Sequence, residues 1–272
     1  MIYDKNADEI ICTLNKNGYE AYYVGGCVRD SLLGIEPCDF DITTSAKPEE
    51  TSEIFRRAGY SVIETGIRHG TVSVIFGQKT YEVTTFRVDG KYSDSRHPES
   101  VEFVSSLKED LARRDFTINA MAYHPDTGIV DFFGGREDLK NKYIRCVGQP
   151  VKRFEEDALR ILRALRFASR YNFTIEENTS NAVKMCKGLL NNISAERIYS
   201  ELCGILINSS CAEFFRNYID VFAVFIPEIL PMVGFEQKSR WHIYDVFEHT
   251  MVALENTPDD LIVRLTVLFH DM

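Results

Sequence analysis

Disulfide chemistry has little to work with in this chain. Its cysteines, Cys12, Cys27, Cys38, Cys146, Cys186, Cys203 and Cys211, are an odd set with no C-x-x-C spacing, which favours neither a cross-linked framework nor a thiolate zinc site. Such usage fits a reducing, cytoplasmic setting. Long apolar runs are also lacking: nothing approaches the roughly 20 residues needed to cross a bilayer, so no membrane partner is expected. The stretch from Met1 to Ile11 is acidic where a secretory signal is basic and then apolar, and the chain is expected to be soluble and untargeted. Basic charge is in deficit, with 31 Lys and Arg against 41 Asp and Glu and a net charge of -10. That balance excludes non-specific coating of DNA, which needs a broad basic surface to release counterions. DNA is therefore not an expected partner, and any contact with nucleic acid must be local. Repeats and low-complexity tracts are missing too. What is present is a 44% hydrophobic sequence of 272 residues, enough for one large or two ordinary domains.

The first part alternates short helices and strands. The pattern predicts a helix near Asp4 to Asn17 and strands at Glu20 to Val24 and Asp39 to Thr43, with a helix opening at Gly25 between them. Further strands are predicted at Tyr60 to Glu64, Thr71 to Phe76 and Tyr81 to Phe86, where β-branched and aromatic residues concentrate. The polar run from Arg87 to Pro98 has loop composition. Beyond Gln149-Pro150 the periodicity becomes helical, over Phe154 to Tyr171, Ser180 to Lys187 and Ala195 to Ile207, which places a boundary near residue 145. The last residues read as an unfinished apolar helix, as a C-terminally truncated chain would show.

Asp39-Phe40-Asp41 is the first candidate for chemistry. Strand alternation puts both carboxylates on one side and Phe40 on the other. Two hard oxygen donors so placed suit a pair of Mg²⁺ ions, able to activate an attacking 3′-hydroxyl and neutralise a leaving pyrophosphate. The same residues also suit a solvated strand end. Upstream, Gly25-Gly26 opens a helix whose unpaired N–H groups can approach a triphosphate, with Arg29 one turn on as a clamp, although a Gly-Gly pair equally makes a plain turn. Glu82, on a neighbouring predicted strand, is a candidate third metal carboxylate or a solvent-facing side chain.

The segment Glu155 to Tyr171 carries Arg160, Arg163, Arg166 and Arg170 within one helical arc, opposite Ile161, Leu162, Leu165 and Ala168. A solvated cationic face gives the same stripe, but acidic residues are missing from it between Asp157 and Glu176. Asp157 and Arg160, one turn apart, offer an acceptor beside a fork of donors. Cytosine and adenine present an amino donor beside a ring-nitrogen acceptor; uracil and guanine reverse that order. One Asp–Arg pair can thus accept C and A and reject U and G, a protein side chain standing in for a template.

Together these motifs resemble the class II CCA-adding enzymes and bacterial poly(A) polymerases of the polymerase-β nucleotidyltransferase superfamily. G-G-C-V-R-D with D-F-D resembles the family's metal and triphosphate motif, Arg113 to Ala122 (R-R-D-F-T-I-N-A-M-A) its ribose motif, and E-D-A-L-R-I-L-R-A-L-R-F its base-templating helix. A-E-R-I-Y-S-E-L, Ala195 to Leu202, is similar to the helix that buttresses the templating helix. The resemblance implies an α+β fold: a polymerase-β-like head with a mixed sheet and helices over residues 1–145, an all-helical neck over 146–207 and a partial body over 208–272. It implies that Asp39 and Asp41 bind Mg²⁺ and that Gly25, Gly26 and Arg29 touch the triphosphate. Arg114, Asp115 and Asn119 would read sugar and phosphates, and Asp157 and Arg160 would select the base, supported by Arg163 and Arg166. The implied partners are CTP, ATP and the tRNA 3′ end; the oligomeric state is left open. Poly(A) addition and CC-only or A-only addition share the same motifs. Asp89 to Pro98 resembles a mobile loop of the family, with Ser95 where relatives carry glycine. His249 with His270-Asp271 resembles the opening of an HD phosphohydrolase domain, whose last aspartate would lie beyond Met272, so Trp241, His242 and His249 are expected to be structural or capping residues. Without the family's further helical domains, weak tRNA binding by a nucleotide-binding fragment is a further expectation.

Overall fold

Asp4 sets the first helix: its carboxylate accepts from the backbone N–H groups of Asn6 and Ala7, and α1 (Lys5–Lys16) then buries Ala7, Ile10, Ile11 and Leu14. The computed structural model describes residues 4–90, 101–238 and 243–272. Ser95, Trp241 and His242 lie outside the described residues. The chain divides into two units, the first holding residues 4–90, 101–141 and 145–148, the second 142–144, 149–238 and 243–272. Among the described residues no helix is long and apolar enough to cross a membrane.

In the first unit, β1 (Ala21–Val24), α2 (Gly26–Leu32), β2 (Ile42–Thr44), α3 (Pro48–Arg57), β3 (Ser61–Ile63), β4 (Thr71–Phe76) and β5 (Lys79–Thr85) follow α1. Next come an antiparallel strand pair, β6 (Arg87–Asp89) and β7 (Val101–Phe103), then α4 (Leu107–Ala112), β8 (Met121–His124), β9 (Gly128–Asp131) and α5 (Gly135–Asn141). The main sheet runs β3-β4-β5-β2-β1-β8-β9 and is mixed: β2 and β5 are parallel, and every other neighbouring pair is antiparallel. One face lies under α1, where the Tyr23 and Tyr81 hydroxyls reach Asp8 and Asp4. The other carries a core of Val24, Phe86, Leu107, Leu111, Ala120, Ala122 and Val147, to which α4 contributes its leucines. Arg87 to Asp89, expected in a loop, instead pairs with Val101 to Phe103.

In the second unit the strands β10 (Tyr143–Ile144) and β11 (Thr174–Ile175) form a short parallel pair. The rest is helical: α6 (Pro150–Glu156), α7 (Leu159–Tyr171), α8 (Glu177–Cys186), α9 (Ala195–Leu206), α10 (Cys211–Asn217), α11 (Ile219–Phe222), α12 (Val246–Glu255) and α13 (Leu261–Phe269). The long helix predicted from Glu155 to Tyr171 is broken. Asp157 is extended (φ -142, ψ 104), and its carboxylate accepts from the Leu159 N–H at 3.1 Å, so an aspartate ends one helix and caps the next. α7 buries residues on most of its circumference, including Arg160, and α9 packs along it. It ends at Asn172 in the left-handed region (φ 53).

Candidate functional site

The predicted strand Asp39 to Thr43 begins only at Ile42, because pairing with β1 starts there, at Tyr23 opposite Ile42. Asp39 and Asp41 occupy the extended lead-in. The Asp41 carbonyl accepts the Val24 N–H at 3.0 Å, and Phe40 packs edge-on against Tyr23 with ring centroids 6.1 Å apart. With Phe40 anchored towards the α1 side, alternation leaves both carboxylates on the α4 side, where water reaches them. Although water reaches Asp41, the protein around it partly desolvates its carboxyl and pushes it above the ordinary range; Arg114 pulls it back and Asp39 adds to the rise. Glu82 is exposed on β5, and the parallel register that opposes Ile42 to Val83 sets Glu82 beside Asp41 one position earlier. Hard carboxylate oxygens gathered where charge is already in excess fit a divalent cation of the Mg²⁺ class.

The glycine turn lies beside these carboxylates. Gly25 has φ 75 and ψ -125, a conformation that L side chains avoid, and its N–H donates to the Met121 carbonyl at 3.2 Å. A Cβ on Gly25 would stand 3.0 Å from Arg114 Nη1, so glycine also permits the close approach of that guanidinium. Arg114 is held by Asp110, with Nη2 3.4 Å from Oδ2, while its buried Nε has no hydrogen-bond partner.

Arg29 is not placed as a free clamp. It is 5% exposed and donates to Asp30 at 2.8 Å and to the Asn119 side-chain oxygen. Asn119 in turn donates to Asp115 Oδ1 at 3.0 Å, and the same oxygen accepts the Phe116 N–H at 2.8 Å. Arg29, Asn119 and Asp115 therefore form one buried chain across α2 and the turn before β8. Gly135 lets α5 lie against that turn, since a Cβ there would meet the Thr117 carbonyl at 2.3 Å.

In the second unit the Asp157 carboxylate takes Arg197 Nη2 at 3.2 and 3.3 Å on its two oxygens. Arg160 donates to Glu156 at 2.9 Å and to the Arg153 carbonyl at 3.2 Å. The side-by-side pair read from a continuous helix is thus two pairs meeting at a helix junction. Arg166 donates to Glu201 of α9 at 2.5 Å and stacks on Phe167, 4.5 Å from the ring centroid; Arg163 stacks on the same ring at 5.2 Å. The acidic partners missing along the stripe come from α6 and α9 instead.

Sequence reasoning passed over Asp110, Glu156, Arg197 and Glu201. Each lies three to four residues from an arginine or on the neighbouring helix's charged positions, a spacing that signals pairing. His270 donates from Nδ1 to the Val267 carbonyl at 2.6 Å, capping α13, and the ligand-type atoms of His249, His270 and Asp271 lie within 4.8 Å of one another.

Residues 21–145 match the family described as "Poly A polymerase head domain", and residues 172–232 the one described as "Probable RNA and SrmB- binding site of polymerase A". The CCA-adding enzyme of Lactobacillus helveticus is 51% identical over 211 residues, 78% of this chain and 52% of that protein. Among solved structures, the Bacillus stearothermophilus CCA-adding enzyme in complex with CTP has a TM-score of 0.75 at 35% identity, over 98% of this chain and 70% of that one. A tRNA nucleotidyltransferase complexed with a primer tRNA and an incoming ATP analog gives 0.69 at 32% identity, over 97% and 75%. The chain spans about half the length of the curated relatives it matches, 52% and 49% for two of them.

Proposed function

Because the chain belongs to the poly(A) polymerase head-domain family, whose relatives include the CCA-adding enzymes, we propose that it adds C, C and A to the tRNA 3′ end from CTP and ATP without a nucleic-acid template. The observation that carries this reading is the gathering of Asp39, Asp41, the Gly25 turn and Arg114 on one side of the sheet in the matched domain. In this reading Mg²⁺ on Asp39, Asp41 and Glu82, when bound, neutralises charge on the reacting phosphates. The backbone at Gly25 and Gly26 and the Arg114 guanidinium bind the triphosphate. Asp115 and Asn119 accept from the ribose hydroxyls, and Arg29 acts through Asn119 by holding its amide.

Base choice is assigned to Asp157 and Arg160. Arg197 holds the Asp157 carboxylate and Glu156 holds the Arg160 guanidinium, which fixes both side chains at the helix junction. Arg163 and Arg166 stiffen that segment through Phe167 and Glu201. The division into head (1–145), neck (146–207) and partial body (208–272), and a cytoplasmic location, belong to the same proposal.

The test is incubation of the chain with Mg²⁺, tRNA lacking its CCA end, and each labelled nucleotide singly and in pairs. Incorporation of two C and then one A is expected. Long tails of A alone would replace the reading with poly(A) addition, and no incorporation beside an active full-length relative would leave a nucleotide-binding fragment.

A further inference from the structure

Asp110 is fully buried, at 0% exposure, yet it carries a charge and lies outside every motif assigned above. A carboxylate in that position persists only with strong partners. Four residues supply five donors, divided between its two oxygens. Oδ1 accepts from Arg113 Nε at 3.0 Å, Arg113 Nη2 at 2.9 Å and the Arg87 backbone N–H at 3.4 Å. Oδ2 faces Arg114 Nη2 at 3.4 Å and the Thr43 hydroxyl at 3.4 Å. Thr43 stands two residues beyond Asp41 on the same side of the strand. One oxygen thus ties α4 to the fold, and the other ties Arg114 to the strand that leads from the carboxylate pair.

That division decides where a mobile cation rests. Arg114 lies in the field of Asp41 and next to Gly25. An arginine on a flexible stem beside two carboxylates collapses onto them unless another acceptor holds it. Asp110 is that acceptor, and the long 3.4 Å contact leaves most of the guanidinium unspent. We propose that Asp110 is a positioning residue for nucleotide binding, which holds the Arg114 guanidinium between the Gly25 turn and the Asp39–Asp41 pair so that it meets a triphosphate. The inference rests on the nucleotide reading above.

Asp110→Asn is nearly isosteric. Its amide oxygen satisfies the three donors on the Oδ1 side, which turns the NH₂ towards Arg114 and Thr43; the Thr43 hydroxyl still has the Thr84 carbonyl at 3.1 Å, so the side chain left without its acceptor is Arg114. The measurement is CTP affinity in Mg²⁺ for the whole chain, with Asp110→Asn, Arg114→Met and the double variant compared in one cycle. Asp110→Asn is expected to raise the CTP dissociation constant about tenfold or more, the scale of a lost charged hydrogen bond. In the Arg114→Met background the same change is expected to have less than about a twofold effect, because the residue it acts through has gone. Where transfer is measured, KM for CTP rises more than kcat falls. Asp110→Glu, which keeps the charge but displaces it, serves where the Asn variant does not fold: it too must weaken CTP, and its effect must vanish without Arg114. Losses that multiply in the double variant, or a fall in kcat at unchanged CTP affinity, overturn the inference while the nucleotide reading stands. Failure of the unmodified chain to bind CTP overturns both.

Discussion

Arg114 in the first unit and Arg264 in the second are both largely buried, with side chains 19% and 2% exposed. Their partners differ. Arg264 donates to the carbonyls of Pro258 (3.0 Å), Leu206 (2.5 Å), Asn208 (2.5 Å) and Thr257 (3.2 Å) and to Asp259, so its fork is filled by the end of α9 and the turn before α13. Arg114 has one long contact to Asp110 and a buried Nε without a partner, in the field of two solvent-reached carboxylates. A guanidinium spent on carbonyls is a staple that satisfies a helix end. One with donors in reserve beside like-placed acids is available to a ligand.

The largest expected effect tests the ligand side of that contrast. Asp41→Ala removes an exposed carboxylate that supports no element, so nucleotidyl transfer should fall by at least ~10²–10³-fold in kcat while the thermal midpoint hardly moves. Turnover like that of the parent would withdraw the metal assignment and, with it, the reason for Arg114 to be kept in reserve.

Arg264→Met tests the other side. Loss of the fork leaves the buried Leu206 carbonyl without its guanidinium donor and the Asn208 carbonyl with the Cys211 N–H alone, and the chain should lose about 2–4 kcal/mol of stability in a denaturant titration. CTP affinity should stay unchanged. A stability loss under about 1 kcal/mol would show that the carbonyls find other donors and that filling a fork does not make a staple.

Legibility in the sequence followed the same divide. Features that depend on local backbone were readable: the helix near Asp4 to Asn17, the Thr71 to Phe76 strand, and the Gly25 turn, where positive φ and close approach both demand glycine. The break at Asp157 was not, because E-E-D-A-L-R continues a helical apolar period straight through it, and only the capping preference of aspartate argues for a stop. The β8–β9 hairpin was also passed over, although P-D-T-G between two alternating runs is a turn signal. Partners from other elements, Arg197 on Asp157 and Glu201 on Arg166, come from helix packing, which no local pattern encodes.

Base choice carries the next effect in size. Asp157→Ala deletes the acceptor proposed to favour an exocyclic amino group and frees Arg197, so discrimination of CTP over UTP should relax about tenfold or more in single-nucleotide incorporation. A variant that still excludes UTP and GTP as the parent does would reduce Asp157 to a helix cap, and the second unit's arginines would then all be staples.

The smallest effect separates the two buried arginine networks by pH. Burial alone would raise the Asp110 carboxyl, but Arg113 and Arg114 outweigh it and hold the group below the ordinary carboxylate range. Its folded pKa is lower than its unfolded one, so below the ordinary range the unfolded chain binds the proton more readily. The stability this charge contributes is complete above the ordinary carboxylate range and is lost as pH falls through the folded value. The gap in urea midpoint between the parent and Asp110→Asn should therefore narrow between pH 7 and about pH 3.5. Arg264 leans mainly on carbonyls, which do not titrate, and its carboxylate partner Asp259 is 69% exposed. The gap between the parent and Arg264→Met should then stay nearly constant over the same interval. If both gaps narrow alike, the acid sensitivity belongs to the chain as a whole, and the two arginines are held by the same kind of force after all.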